Sequence, residues 1–252
     1  MIIRSACFPN SALFFMLLPA LAASLSTAGA ADLQLKAVYA RPNRSARMAD
    51  HSNIVVWLTP LSEPALAQSE KAMQLIPRHY RLLQKKKEFI PHLLVIPAGS
   101  LVDFPNQDPF FHNVFSLFDG RRFDLGLYEA GATRGVRFDR AGVSFVFCNI
   151  HPQMSAIVIT LKTPFSGITD RAGNITLQEI PPGRYSLEVW AERSLPNSLQ
   201  ALTRVVTVLD ASNSLVSIEV PENADLLSGH KNKYGKDYEP TTTGNPGYLR
   251  PD

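Results

Sequence analysis

Three residues with metal-binding side chains lie close together in the sequence Cys148-Asn-Ile-His151-Pro-Gln-Met154. They offer a thiolate, an imidazole and a thioether. A tight loop between two strands would let the three side chains converge on one point, whereas a straight strand would point successive side chains to opposite faces. The sequence therefore indicates a loop that holds a single metal ion.

A second imidazole lies upstream, at His112 in the sequence Phe111-His-Asn-Val114. The chain from His112 to Cys148 is long enough for about two strands with their loops, which would bring His112 across a β-barrel to the loop. Thiolate and thioether are soft donors that suit copper, and imidazole suits it as well. We therefore predict that His112, Cys148, His151 and Met154 bind one copper ion.

The predicted ligands also indicate which kind of metal site this is. A trigonal plane of two imidazoles and a thiolate, with Met154 as a weak axial ligand, is the type-1 or blue-copper arrangement. Structural zinc needs four strong ligands, and methionine is a poor one. A catalytic copper site would keep an open position, which Met154 fills here. The remaining histidines have no such neighbours and are predicted not to bind the metal: His51, His79, His92 and His230.

The first 30 residues are typical of a secretory signal peptide. Arg4 provides a positive start, an apolar stretch follows, and Ala28-Gly-Ala30 fits a cleavage site. The alternative, an uncleaved membrane anchor, is disfavoured because no stop-transfer charges follow the apolar stretch. We expect a mature chain that is periplasmic or otherwise exported and has no membrane span.

Cleavage would leave Cys148 as the only cysteine, because Cys7 lies within the signal peptide. An exposed lone thiol is vulnerable in an oxidising compartment, so Cys148 is expected to be buried or bound to a metal. The formal net charge is +3, and loss of Arg4 lowers it by one. A chain so close to neutral is not expected to bind nucleic acid.

Most of the chain after residue 31 favours strands. One short helix is predicted between Ser62 and Ile76, and Lys85-Lys86-Lys87 is expected to be a solvated edge, with a docking patch for an acidic partner as the alternative. Short strands separated by turns are typical of a sandwich or barrel, so the fold class is all-β. The predicted strands cover residues 33–39, 53–58, 80–97, 100–104, 113–117, 133–138, 143–148, 155–161, 174–177, 185–189, 203–209 and 214–220.

Residues 80–162 resemble a cupredoxin of the plastocyanin and amicyanin kind. The spacing Cys-x-x-His-x-x-Met is the short, amicyanin-like form, and Phe104-Pro-Asn-Gln-Asp108 with His112-Asn-Val114 is similar to the family's first-ligand strand. Together with Phe123-Asp-Leu-Gly126, these motifs are similar to bacterial proteins described as methylamine-utilisation proteins. The resemblance implies a Greek-key cupredoxin barrel that holds one type-1 copper.

The same resemblance implies roles for neighbouring residues. Asn113 would brace the ligand loop through hydrogen bonds near Cys148; the alternative is an ordinary polar strand residue. In the family one histidine edge reaches the surface through an apolar patch, which serves as the electron port. His151 with Pro152 is the candidate port here, helped by Phe110 and Phe111 unless these two phenylalanines are core residues.

A second β pattern follows the barrel. The turns Thr169-Asp-x-x-Gly173 and Ile180-Pro-Pro-Gly-x-Tyr185 resemble carboxypeptidase-regulatory-like or transthyretin-like sandwiches, and residues 33–39 and 53–58 resemble the opening strands of the same module. We therefore expect the cupredoxin domain to be inserted in a split, second small β-sandwich. The predicted organisation is a signal peptide over 1–30, an N-terminal β segment with a short helix over 31–79, the cupredoxin domain over 80–162, the sandwich over 163–220 and a flexible tail over 221–252.

These features predict an exported one-electron carrier that works between redox partner proteins. The alternative is a periplasmic copper-binding protein for storage, delivery or sensing. Such proteins often expose Met-rich or His-rich segments, and the mature chain keeps only Met48, Met73 and Met154. The chain is predicted not to be an enzyme, because no His-x-His pair occurs for further copper ions and no third group would orient a hydrolytic Cys148–His151 pair. A structural protein with a vestigial metal site also stays open.

Overall fold

The computed structural model describes residues 30–40, 50–117, 120–209, 216–223 and 231–238. The predicted signal peptide, apart from Ala30, lies outside the described residues, as do Met48 and His230. No helix in these ranges is long and apolar enough to cross a membrane. The described elements, in chain order, are β1 (Ala31–Ala40), β2 (Ile54–Pro60), α1 (Glu63–Leu75), β3 (His79–Arg81), β4 (Leu83–Lys85), β5 (Glu88–Ile90), β6 (Leu93–Pro97), β7 (Ser100–Pro105), β8 (His112–Ser116), β9 (Phe123–Tyr128), β10 (Thr133–Phe138), β11 (Gly142–Cys148), β12 (Ser155–Leu161), β13 (Ser166–Ile168), β14 (Asn174–Ile180), β15 (Gly183–Ala191), α2 (Pro196–Gln200), β16 (Arg204–Val208) and β17 (Val216–Pro221).

Strands β3 to β12 form one β-sandwich, which is called the barrel below. One of its sheets has the order β10-β7-β3 and the other β6-β12-β11-β8-β9, and β4 and β5 form a separate hairpin. The chain changes sheets between β6 and β7, between β7 and β8, between β9 and β10 and again between β10 and β11. Strands that follow one another in the sequence are therefore often not neighbours, which is a Greek-key arrangement. The all-β prediction is confirmed.

The other strands form a second sandwich from both ends of the described chain. Its sheets have the orders β14-β1-β17 and β13-β2-β15-β16. Strand β1 is antiparallel to β14 and parallel to β17, and β2 lies between β13 and β15. Because β1 and β2 pair with these later strands and not with the barrel, we propose that residues 80–162 are a domain inserted in a split sandwich.

Several details differ from the sequence prediction. The helix between Ser62 and Ile76 is confirmed as α1, which begins with proline in its first turn, a position that tolerates the missing N–H. The strand predicted over 80–97 is four short strands, β3 to β6. Strands β9 and β13 and the short helix α2 were not predicted.

Two strands bury both of their faces and thereby join the two sandwiches. Successive side chains of a strand point to opposite faces. On β12, Ala156 and Val158 lie in the barrel core, whereas Ile157 and Ile159 lie in a separate apolar cluster. Strand β2 behaves in the same way. The separate cluster fills the contact between the sandwiches and contains Val55, Leu93, Ile157, Ile159 and Leu161, with Trp57, Val95, Val143, Phe145 and Trp190 packed against it.

The contact between the sandwiches predicts a large effect for Ile159→Ala. The side chain of Ile159 is 1% exposed, so its truncation should lower the free energy of unfolding by about 2–5 kcal/mol. Ile168→Ala is the matched control. Because Ile168 is 41% exposed, its truncation should lower the free energy of unfolding by well under half as much. Urea denaturation of both variants measures the difference. Equal losses of unfolding free energy in the two variants would mean that the stability of the two sandwiches does not depend on this contact.

Candidate metal centre

Two neighbouring strands of the barrel bring His112 and Cys148 to the same end of the sheet. His112 is the first residue of β8, and Cys148 is the last residue of β11. The two strands are antiparallel and adjacent, with Cys148 paired to Val114. The start of β8 therefore lies beside the end of β11, at the place where the loop to β12 begins.

Main-chain hydrogen bonds fold the loop after β11 back on itself. The N–H of Cys148 donates to the carbonyl oxygen of Met154 over 3.0 Å, and the N–H of Met154 donates to that of His151 over 3.1 Å. The N–H of Asn149 donates to the carbonyl oxygen of Asn113 over 3.1 Å. The loop is thus closed at its base and fixed to β8, which turns its side chains inward.

The predicted donor atoms of three of the four residues lie close together. The Sγ of Cys148 is 3.6 Å from Nδ1 of His112 and 3.4 Å from Nδ1 of His151, and all three donor atoms lie within 4.8 Å of one another. With metal–sulfur and metal–nitrogen bonds of about 2.3 and 2.0 Å, as for zinc, ligands at 120° would be about 3.7 Å apart. The spacing therefore fits a trigonal metal site.

Three of the four predicted ligands are buried. The side chains of His112 and Cys148 are fully buried, and Met154 is 1% exposed and packs in the same core cluster as Cys148. His151 is half-buried, and Pro152 is exposed. The structure therefore encloses the sulfur and one imidazole and leaves the other imidazole near the surface.

Burial also decides the charge states of the metal-free side chains. It raises the pKa of the Cys148 thiol, although the N–H groups of Ile150, Asn113 and His151 partly offset this. Burial lowers the pKa of His112, and burial together with His112 lowers the pKa of His151 to about 4. Both rings are neutral at pH 7 and keep a lone pair for a metal. A bound cation would compensate the cost of a buried thiolate.

Asp108 contacts a predicted ligand, although the sequence prediction did not include it among the site residues. Its Oδ2 is 2.9 Å from Nε2 of His112, and both side chains are buried. Burial alone would raise the pKa of Asp108, but hydrogen bonds from the main-chain N–H of Lys87, from His112 and from the N–H of Lys86 outweigh it, so the pKa is lowered. The ionised carboxylate keeps the proton of His112 on Nε2, which leaves Nδ1 free to face the sulfur. The sequence offered one signal for this contact. Asp108 lies four residues before His112, at the end of the motif Phe104-Pro-Asn-Gln-Asp108.

The two lysines bonded to Asp108 form an unusual hairpin turn. Lys86 and Lys87 link β4 to β5 with φ angles of 57° and 60°. A two-residue turn with both φ angles positive normally contains Asn or Gly, because other residues pay about 1–2 kcal/mol each in the left-handed region. The carboxylate oxygens of Asp108 accept both main-chain N–H groups. Asp108 therefore stabilises the turn as well as the imidazole.

Asn113 lies next to the loop, as its proposed bracing role requires, but its side chain turns elsewhere. Its Nδ2 donates to Oδ1 of Asp124 over 2.7 Å, and its Oδ1 is buried without a hydrogen-bond partner among the described residues. Contact with the loop runs through its main chain, whose carbonyl oxygen accepts the N–H of Asn149.

One aromatic ring lies beside both histidines. The ring centroid of Phe110 is 5.3 Å from that of His112 and 5.4 Å from that of His151, and the two imidazole centroids are 4.8 Å apart. The Nζ of Lys87 lies 5.4 Å from the Phe110 centroid. Phe110 thus contacts both predicted ligands, and the positive charge of Lys87 lies over the same ring.

The other described histidines have different partners. Nδ1 of His51 accepts the N–H of Tyr39, His79 pairs with Asp103, and His92 contacts Glu192 and the carbonyl oxygen of Ser155. Within the described part of the chain, His112, Cys148 and His151 are the only group of three or more His, Cys, Asp or Glu side chains that could hold a metal ion.

Comparisons with known proteins find similarity over part of the chain. No family model matches it, and no curated protein matches it. Similar solved structures include a copper-containing nitrite reductase from Thermus scotoductus SA-01, with 24% identity, a TM-score of 0.32 and coverage of 34% of this chain and 23% of that chain. A purple cupredoxin from Nitrosopumilus maritimus has 22% identity and a TM-score of 0.30, over 34% of this chain and all of that one. Amicyanin from Paracoccus versutus has 23% identity and a TM-score of 0.29, over 35% and 88% of the two chains.

The buried contact of Asp108 predicts that Asp108→Ala weakens the site. It leaves the Nε2–H of His112 without its acceptor, so metal-free stability should fall by about 1–3 kcal/mol and copper affinity by about 10–100-fold. Asp103→Ala is the matched control, because it breaks a similar carboxylate–histidine pair in which His79 is 61% exposed. Urea denaturation and copper titration measure both quantities. Similar results for the two variants would contradict a role for Asp108.

Proposed function

We propose that this chain is a type-1 copper protein that binds one copper ion and carries one electron between partner proteins. The proposal depends on the position of three donor atoms. The Sγ of Cys148 lies 3.6 Å from Nδ1 of His112 and 3.4 Å from Nδ1 of His151. Met154, buried in the same core cluster as Cys148, would supply a thioether as the fourth ligand. The soft sulfur donors favour copper over magnesium or calcium, and methionine is a poor ligand for zinc.

The protein's contribution is to keep the donor atoms fixed and dry. Copper at this site would supply a Cu(I)/Cu(II) couple that takes up and releases one electron. Asp108 orients His112, the pairing of β8 with β11 fixes the distance from His112 to Cys148, and the closed loop holds His151 and Met154. Because a rigid ligand set resists rearrangement, electron exchange would need little change in geometry. Met154 as the fourth ligand would leave no place for a substrate, which favours a carrier over an enzyme.

The surface near His151 is the proposed electron port. His151 is half-buried, Pro152 beside it is exposed, and Phe110 packs against the imidazole. Lys85, Lys86 and Lys87 are exposed on the adjacent hairpin. The port therefore has a positive border, which favours a redox partner with an acidic surface.

The location follows from the signal peptide predicted over residues 1–30, and we propose that the chain works in the periplasm or otherwise outside the cytoplasm. Copper storage, delivery or sensing is the second candidate function. A buried thiolate and a buried thioether favour retention of the ion over rapid transfer. Fast release of copper to an acceptor apoprotein, without oxidation or reduction, would favour the second candidate.

Removal of the sulfur should abolish the spectroscopic signature of the site. Copper-loaded protein should show an intense sulfur-to-copper charge-transfer band in the visible region, and Cys148→Ser should lose it while the apoprotein stays folded by circular dichroism. His92→Gln is the control, because His92 contacts Glu192 away from the site, and this variant should keep the band. Absence of the band in the unmodified protein would refute a type-1 centre.

The positive border predicts a charge effect on electron exchange. At about 0.01 M salt, where the Debye length is about 30 Å, Lys87→Gln should slow oxidation of the reduced protein by ferricyanide by about threefold or more. Lys71→Gln removes the same charge from the exposed surface of α1, a helix that contacts strands of the second sandwich, and should have a smaller effect. Stopped-flow rates at low and high salt provide the test. Equal effects of the two variants would argue against a port beside Lys87.

A further inference from the structure

Residues 231–238 lie against the proposed metal loop, although the sequence placed them in a flexible tail. The main-chain N–H of Lys233 donates to Oδ1 of Asn149 over 3.0 Å, and its Nζ donates to Oδ2 of Asp124 over 2.8 Å. The hydroxyl of Tyr238 donates to the carbonyl oxygen of Cys148 over 2.8 Å. Two contacts thus reach the ligand Cys148 and the residue that follows it.

The segment has a turn of its own that presents these groups. Asn232 organises it: its side-chain oxygen accepts the N–H groups of Tyr234 and Lys236 over 2.9 and 3.1 Å, and its N–H donates to the carbonyl oxygen of Lys236 over 2.9 Å. Gly235, with a φ angle of 73°, occupies the left-handed region that favours glycine. The turn therefore fixes the direction in which Lys233 meets the loop.

The contacts of Lys233 close a ring of hydrogen bonds around the loop. Lys233 contacts Asn149 through its main chain, and the N–H of Asn149 donates to the carbonyl oxygen of Asn113. The side chain of Asn113 donates to Asp124, whose other oxygen accepts the Nζ of Lys233. Asn113 follows His112 and Asn149 follows Cys148, so this ring connects the neighbours of two proposed ligands.

The peptide between Cys148 and Asn149 is held from three sides as a result. Tyr238 binds its carbonyl oxygen, Asn113 accepts its N–H, and Lys233 binds the Asn149 side chain. Lys233 and Asp124 are 22% and 38% exposed, so their ion pair alone contributes little. Burial, together with Cys148, raises the pKa of Tyr238, so the hydroxyl remains a donor at neutral pH.

We propose that residues 231–238 form a clasp that positions the metal loop and slows its opening, with Lys233 and Tyr238 as positioning residues. The clasp rests on the proposed function only in taking residues 148–154 as the metal loop. It holds the loop in its ligand-bearing shape before the ion enters and retards loss of the ion afterwards.

Hydrogen exchange of the metal-free full-length chain tests the clasp without copper. Tyr238→Phe removes the hydroxyl that binds the Cys148 carbonyl, so the amides of residues 149–151 should exchange about fivefold faster. Tyr185→Phe is the matched control, because it removes a hydroxyl that donates to another main-chain carbonyl, that of Pro181, in the second sandwich. It should leave the exchange of the loop amides unchanged.

Two further pairs of variants test the remaining contacts. A chain that stops after residue 230 should show faster loop exchange than one that stops after residue 238. Lys233→Met should resemble the shorter chain more closely than Lys233→Arg does, because arginine can still pair with Asp124. If loop exchange is the same in the unmodified protein, in Tyr238→Phe and in Lys233→Met, there is no clasp, and this test holds even if the shorter chain does not fold.

Copper provides a second readout that global stability would not change. Tyr238→Phe should release copper to a chelator several-fold faster and shift the visible band, whereas Tyr185→Phe should do neither. If the unmodified protein binds no copper but loop exchange still depends on Tyr238, the proposed function fails and the clasp stands. If copper binds with its visible band, but Tyr238→Phe changes neither loop exchange nor copper release, the clasp fails and the proposed function stands.

Discussion

The geometry of the site depends on the hydrogen bonds that the carboxylate of Asp108 accepts. This carboxylate accepts two main-chain N–H groups from a turn held in the left-handed region, and it accepts the Nε2–H of a fully buried imidazole. A buried charge is tolerable only when its oxygens are satisfied by such donors. The same acceptor therefore determines the shape of the β4–β5 hairpin, the tautomer of His112 and the direction in which Nδ1 faces.

The proposed ligands were predictable because their spacing carries the signal. Cys148, His151 and Met154 lie in one loop, and a loop of that length between two paired strands leaves few ways to place three side chains. The prediction of His112 as a ligand required a further assumption, that two intervening strands would bring it to the same end of the barrel. Apart from β9 and the division of residues 80–97 into four strands, the strands of the barrel were likewise predictable from apolar alternation. The helix α1 was predictable from the proline at its start.

The parts that were missed depend on contacts between distant segments. Asp108 is recognisable only when its partners, His112 and the Lys86-Lys87 turn, are in place. That turn has neither glycine nor asparagine, so the hairpin read as part of one long strand. Residues 231–238 contain few apolar side chains, and composition alone therefore indicated a flexible tail. Their contacts with Asn149, Asp124 and Cys148 are individual hydrogen bonds, for which the sequence has no periodic signature.

The split of the second sandwich has a consequence for the order of folding. Its strands β2 and β13 are neighbours, yet residues 61–165 separate them in the chain. Bringing together the ends of an unfolded loop of that length costs about 4 kcal/mol of chain entropy. Once the barrel has formed, its own strands hold the entry and exit of that segment near each other and much of this cost disappears. Assembly should therefore begin with the barrel and finish with the outer sandwich, in which the N-terminal strands β1 and β2 each lie between two strands that follow the barrel in the sequence.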